Sequence, residues 1–270
     1  MIHLRSIQAR RAVPWPDKFP YSVSVLASLD TLAFTAPVTF LVGENGSGKS
    51  TLLEAIACTA GSITVGSQGV EHDRTLGPVR ELAKDLRLTW NKRTRKGFYM
   101  RSEDFFGFAR RMDQAREEMQ RSMDEVDQEY SGRSDYVKGL AKMPYARELG
   151  DMKQRYGEGV DARSHGESYL NLFQSRFIPG GLYLMDEPEA PLSPKRQLSF
   201  LVLLNEMVAQ EGQFIIATHS PILMSFPGAV ILTCDSGRLE PVAYEDLEHV
   251  AITKGFLENP KLYLRELGIL

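Results

Sequence analysis

Residues 43 to 51 read Gly-Glu-Asn-Gly-Ser-Gly-Lys-Ser-Thr, and this stretch limits the fold more than any other. Gly43, Gly48, Lys49 and Ser50 fit G-x-x-x-x-G-K-[ST], a loop that wraps the phosphates of a nucleoside triphosphate. Backbone N–H groups reach phosphate oxygens only where no Cβ intervenes and φ is free to turn positive, which is why the pattern needs glycine. Lys49 offers a point charge to the β and γ phosphates, Ser50 a hydroxyl to Mg²⁺, and a helix opening at Ser50 the positive end of its dipole. Glu44, Asn45, Gly46, Ser47 and Thr51 complete the candidate binding stretch.

The flanks supply what such a loop requires. Val38-Thr-Phe-Leu-Val42 is a short apolar run rich in β-branched residues and predicts a buried strand, while Thr51-Leu-Leu-Glu-Ala-Ile-Ala-Cys58 predicts a helix. A second apolar run, Gly181-Leu-Tyr-Leu-Met185, ends in Asp186-Glu187-Pro188. Two carboxylates thus emerge at the carboxyl end of a buried strand, where ligands bind in parallel sheets. Asp186 is placed to hold Mg²⁺ and Glu187 to polarise an attacking water. A turn, Glu189 to Pro194, leads into a helix beginning near Lys195. A third run, Gln213-Phe-Ile-Ile-Ala-Thr218, delivers His219-Ser220-Pro221, so His219 can hydrogen-bond a γ-phosphate. Ahead of these lies the polar turn Ser164-His-Gly-Glu-Ser168, followed by Tyr169-Leu-Asn-Leu-Phe173.

In this order the segments resemble an ABC-type ATPase head: Walker A at 43 to 50, a signature at Ser164 to Glu167, Walker B at 182 to 187, a D-loop at 189 to 194 and a switch histidine at 219. The chain is more similar still to stand-alone bacterial AAA-family proteins that carry such heads without a transporter. Arg101-Ser-Glu-Asp-Phe-Phe106 and the tail Phe256-Leu-Glu-Asn-Pro-Lys-Leu-Tyr-Leu-Arg265 extend the likeness along nearly the whole chain. The resemblance implies an α/β P-loop NTPase with a mostly parallel central sheet, N-terminal antiparallel edge strands and a helical insertion lobe over 81–162, all within one ATPase domain, 1–270. It implies Mg²⁺-dependent ATP hydrolysis with Lys49, Glu187 and His219 as the catalytic set and Ser50 and Asp186 at the metal. It also implies a homodimer closed on two ATP molecules, each covered by Ser164 and Gly166 of the other copy.

Two departures from the family pattern narrow the role. The signature has His165 and Glu167 where a glycine and a glutamine are usual, which is the form the stand-alone group carries. The glutamine that normally follows the strand at Lys96 to Arg101 is missing; Gln68 sits in a glycine-rich stretch, and Ser102 or Glu103 takes the place. A switch acting on a protein partner is the reading these features favour. An energy subunit of a membrane transporter and a DNA-stimulated repair ATPase remain the alternatives.

Composition sets the outer limits. With 270 residues, 43% apolar and 25% charged, the chain has the make-up of a globular protein with a large core. A formal net charge of −3 gives no overall pull toward nucleic acid or an anionic membrane. Two basic clusters, Lys92 with Arg93, Arg95 and Lys96, and Arg10 with Arg11, read as solvated strand ends and turns. The two cysteines, Cys58 and Cys234, have no pairing or metal-binding spacing and are expected as buried thiols in a reducing cytoplasm. Met1 to Arg10 does not read as a signal peptide, and no run of about 18 apolar residues predicts a membrane span. His3, His72, His165 and His249 show no metal-ligand spacing.

Between the nucleotide motifs, 67–80 reads as loop. From Phe105 apolar residues recur at Phe108, Met112, Ala115, Met119, Met123 and Val126, a helix of roughly 25 residues or about 38 Å. Its Met-rich stripe reads as core packing, with a partner-binding groove as the alternative. The stretch 131–162, with five glycines, predicts a flexible linker, and a charged helix is expected from Pro260 to Leu270. Trp15, Phe19 and Tyr21 are the aromatic candidates for stacking on adenine.

Overall fold

The computed structural model describes residues 1–10, 15–65, 70, 74–156 and 165–270. The chain opens with β1 (Leu4–Ala9), a short α1 (Ser24–Ala27) and β2 (Thr31–Ala33), then enters the centre of the molecule as β3 (Val38–Val42) and leaves it as α2 (Lys49–Ala60). After α3 (Gly77–Lys84), β4 (Leu86–Trp90) and β5 (Gly97–Met100) come two long helices, α4 (Ser102–Glu129) and α5 (Asp135–Tyr156), and α6 (His165–Arg176). The second half alternates strand and helix: β6 (Leu182–Asp186), α7 (Pro194–Ala209), β7 (Gln213–Ala217), α8 (Pro221–Met224), β8 (Val230–Thr233), β9 (Glu240–Pro241), α9 (Glu248–Glu258) and α10 (Pro260–Glu266).

Two sheets result. The larger has the order β5-β6-β7-β3-β8-β9 and is parallel except for β9 at its edge. Every residue of β3 and β7 is buried, as a strand covered on both faces requires, and this explains why both read as unbroken apolar runs. Alternation along the strands divides their side chains between two cores. Phe40, Met100, Tyr183, Met185, Phe214 and Ile216 meet α6 and α7 on one face, while Leu41, Tyr99, Leu184, Ile215 and Ala217 meet α2 on the other. The first core is aromatic: Phe177 lies 4.6 Å from Tyr183 and 5.3 Å from Phe173, centroid to centroid.

The smaller sheet, β2-β1-β4, is antiparallel. A glutamine fastens it to the larger one. The amide oxygen of Gln213, at the start of β7, accepts from the backbone N–H of His3 (2.8 Å) and Leu4 (2.7 Å), and its amide nitrogen donates to the Leu4 carbonyl (2.9 Å). Buried His3 adds to the seam, with its ring nitrogens 2.7 Å from the Glu211 carbonyl and 3.3 Å from that of Lys92.

Sequence expectation and structure part company over the stretch 131–162. Residues Asp135–Tyr156 form a 22-residue helix with Gly139, Pro144 and Gly150 inside it, where a linker was expected. The helix exists because α4 lies beside it. Ala141, Lys142, Tyr145 and Leu149 are half-buried, Val126 of α4 is buried, and Asp127 pairs with Lys142, so packing outweighs weak local propensity. Within 81–162 the continuous helical part begins at Ser102, since Leu86–Trp90 and Gly97–Met100 belong to the two sheets. The helix expected over roughly 25 residues has 28, about 42 Å at 1.5 Å per residue. At the C-terminus, Asn259 caps α10 through its side chain at Leu262 N (3.3 Å), and the helix is shorter than expected, Pro260–Glu266.

Candidate nucleotide-binding site

Strand register builds the site. Leu41 of β3, Ala217 of β7 and Asp186 of β6 lie side by side across three neighbouring parallel strands. The residues that follow each of them, Gly43, His219 and Glu187, therefore leave the sheet at the same edge. Three segments far apart in the chain meet there because parallel strands all point their carboxyl ends the same way.

The loop after β3 needs its glycines. Gly43, Gly46 and Gly48 have φ of 140°, 85° and 101°. A Cβ on Gly48 would lie 2.5 Å from Cγ1 of Val23 and 2.6 Å from that of Val25, so α1 and the residue before it press against the loop. Around Gly46 there is open space, and Glu44, Asn45, Gly46 and Ser50 are exposed. Lys49, only 5% exposed, is the first residue of α2. Its ammonium donates to the carbonyls of Gly43 (2.7 Å) and Glu44 (2.9 Å), which holds the positive charge at the mouth of the loop.

The Ser50 side chain lies close enough to Asp186 to favour its charged form, while Oδ1 of that carboxylate is buried with no partner. Burial above all, helped by Glu187 and Glu189, pushes its carboxyl up to about 6, against the pull of Ser50 and Lys49. A buried carboxylate oxygen left unpaired beside a serine hydroxyl fits a hard divalent cation that takes its other ligands from water and phosphate. Magnesium is such an ion. Among the described residues no group of three or more His, Cys, Asp and Glu side chains is gathered to hold a metal by itself.

Glu187 adopts φ +49°, the left-handed region that costs a non-glycine residue energy, with its N–H donating to Ala217 O (2.9 Å). Its carboxylate is 3.9 Å from His219 Nε2, and the two side chains are 41% and 40% exposed. The His219 N–H donates to Glu189 Oε1 (2.8 Å), and burial raises the Glu189 carboxyl above its usual range. Ser220 caps α8, accepting from Leu223 N (3.1 Å) and donating to Gln197 Oε1 (2.6 Å).

Several sequence candidates fall elsewhere. Ser164 lies outside the described residues, as does Gln68; Gly166 is in the first turn of α6, with only its backbone described, and the side chains of Ser102 and Glu103 are likewise outside. Tyr21 is committed to the core. It is buried, donates to Asp85 Oδ2 (2.8 Å) and meets Trp15 edge-on, while Val23 and Val25 are what lie against the loop. Cys234 is buried and its thiol raised to about 11 by burial; Cys58 is only partly buried, and neither forms a disulfide. Two contributors escaped sequence reading. Glu189 holds the His219 backbone, and Asp235, from the turn after β8, accepts from Glu44 N at 2.7 Å. Glu189 opens the turn at 189 to 194, but no local pattern marks its contact or that of Asp235; each is defined by what another segment brings to it.

Two family models match the chain: "AAA domain" over residues 26–139, and "AAA domain, putative AbiEii toxin, Type IV TA system" over residues 161–225. Over these two stretches the chain is similar to AAA-domain proteins. Solved structures similar to this chain include a nucleotide-free ATP-binding cassette from an ABC transporter, 15% identical over 97% of this chain and 99% of that one, TM-score 0.48. Another is the Smc head domain of Pyrococcus furiosus with an extended coiled coil, bound to the C-terminal domain of ScpA (13% identity, 97% and 100% covered, TM-score 0.47). A third is cbiO1 of Clostridium perfringens, part of the ABC transporter complex cbiONQ (17%, 98% and 99%, TM-score 0.45). No curated protein matches the chain. Among the described residues, no helix is long and apolar enough to cross a membrane.

Proposed function

We propose that this head binds ATP with Mg²⁺, closes as a homodimer around two nucleotides, and opens again on hydrolysis, switching a protein partner in the cytoplasm. The observation that carries the reading is the register of β6, β7 and β3, which sets Asp186, Glu187 and His219 beside the glycine loop. Residues 43 to 51 would cradle the phosphates, with the Lys49 ammonium at the loop mouth facing the β and γ groups. Ser50 and Asp186 would hold Mg²⁺, which when bound neutralises charge on the phosphate oxygens. Glu187 would orient water for attack on the γ-phosphorus and draw off its proton as the bond to the β-phosphate oxygen breaks. His219, within reach of Glu187, would hydrogen-bond the transferring group. Ser164, with Gly166 in the first turn of α6, would cover the γ-phosphate of the partner copy's nucleotide, so the loss of that phosphate loosens the pair.

In this reading 1–270 works as one head and the helical lobe within 81–162 is the part that presents a surface to the partner. Two cysteines that form no disulfide suit a reducing compartment.

Glu187→Gln is the test. Removing the base while keeping shape should lower phosphate release by about 10²-fold or more and leave a species of twice the monomer mass with Mg-ATP, measured by light scattering. Wild-type turnover in the variant would remove Glu187 from the reaction. A variant that binds ATP to saturation and stays monomeric would refute closure by a second copy.

A further inference from the structure

The peptide linking Gly43 to Glu44 is held from both sides. Its carbonyl oxygen accepts from Lys49 Nζ at 2.7 Å, and its N–H, pointing the opposite way across a trans peptide, donates to Asp235 Oδ1 at 2.7 Å. Asp235 is itself fixed. Thr233 Oγ1 donates to its other oxygen at 2.9 Å and accepts from the Asp235 N–H at 3.3 Å, and Thr233 is the last residue of β8, paired with Val42. Gly43 leaves the room: a Cβ there would sit 2.7 Å from Asp235 Oδ1, so the carboxylate fills the notch of the missing side chain. The same turn is tied to α1 by Ser28 Oγ, which donates to the Gly237 carbonyl at 2.9 Å.

We propose that Asp235 is a positioning residue for Lys49, acting through the Gly43–Glu44 peptide. If that peptide rotated, the Gly43 carbonyl would swing away from the ammonium, and Lys49 would lose the shorter of the two carbonyl contacts that keep it at the loop mouth. Asp235 blocks the rotation by gripping the N–H end, and it does so from a turn outside the phosphate-binding sequence. The inference rests on the reading of residues 43 to 51 as the ATP loop.

Equilibrium binding of a fluorescent ATP analogue to Asp235→Ala, Asp235→Asn and Lys49→Ala, each beside a melting curve of the nucleotide-free protein, tests it. Asp235→Ala should weaken binding about tenfold, equivalent to about 1.4 kcal/mol. Its melting temperature should fall by no more than about 4 °C, as for loss of two surface hydrogen bonds. Asp235→Asn should recover most of the affinity, because its amide oxygen can accept from Glu44 N and its amide nitrogen can donate to Thr233 Oγ1. Unchanged affinity in Asp235→Ala, with Lys49→Ala impaired, overturns the proposal and leaves the loop reading standing. Equal losses in the alanine and asparagine variants also overturn it, since the hydrogen bond to Glu44 would then not be what matters. Full affinity in Lys49→Ala overturns the loop reading itself.

Discussion

Gln213 is a place where a single amide governs how two sheets are joined. The residue has no exposed surface, and its side chain makes three hydrogen bonds to the backbone of His3 and Leu4. Gln213→Met keeps the length and most of the volume but removes the amide. The N–H groups of His3 and Leu4 and the carbonyl of Leu4 then lose their partners in a site closed to water. Each orphaned buried backbone group costs about 1–3 kcal/mol. Partial relaxation of β1 makes the three costs less than additive, so we expect about 3–5 kcal/mol in all. For a chain of this size that corresponds to a melting temperature lower by roughly 10 °C. Calorimetry or urea unfolding of the nucleotide-free protein measures it, and nucleotide affinity below the transition serves as a control for the central sheet. A fall of less than about 2 °C, with affinity retained, would show that the seam carries no net stability and would refute the reasoning.

Other perturbations test the site and the sheet edge. Asp186→Asn should stabilise the nucleotide-free protein at pH 7.5 by about 2–3 kcal/mol, because it removes a carboxylate whose charged form is penalised by burial. The folded carboxyl titrates at about 6 and the unfolded one near 4, so the folded state binds more protons in that window. Wild-type stability therefore falls as pH rises from about 4 to about 6, and the advantage of the variant should appear over the same range and be gone below it. A variant melting lower than wild type at pH 7.5 would contradict this. Gly97→Ala should cost about 3 kcal/mol or more, since Gly97 has φ 106° and a Cβ would fall 1.8 Å from the Leu182 carbonyl oxygen. A urea midpoint close to that of wild type would mean that β5 can shift along β6 at little cost.

The site was legible in the sequence wherever one segment carries its own chemistry. Glycines at 43, 46 and 48 stand where the backbone turns to positive φ, Lys49 and Ser50 follow at fixed offsets, and the apolar runs of β3, β6 and β7 announce strands buried on both faces. The aromatic guesses show the limit of that approach. Trp15 and Tyr21 have the right chemistry to stack on a base, but Tyr21 is spent on Asp85 and the core. Residue type says what a side chain can do, and only its surroundings say whether that capacity is already used.

Sequence alone determined the strand, glycine loop and helix order and the nature of the groups that a phosphate and a divalent cation would meet. These depend on neighbours a few residues away, through backbone conformation and periodicity. Tertiary structure decided the rest. Asp135–Tyr156 is a helix because α4 lies against it, Gln213 is a seam because β1 arrives at it from 209 residues away, and Asp235 grips the loop across 191. Hydrogen-bond partners and packing energy depend on distance in space, and separation along the chain carries almost no information about that distance until the sheet has formed.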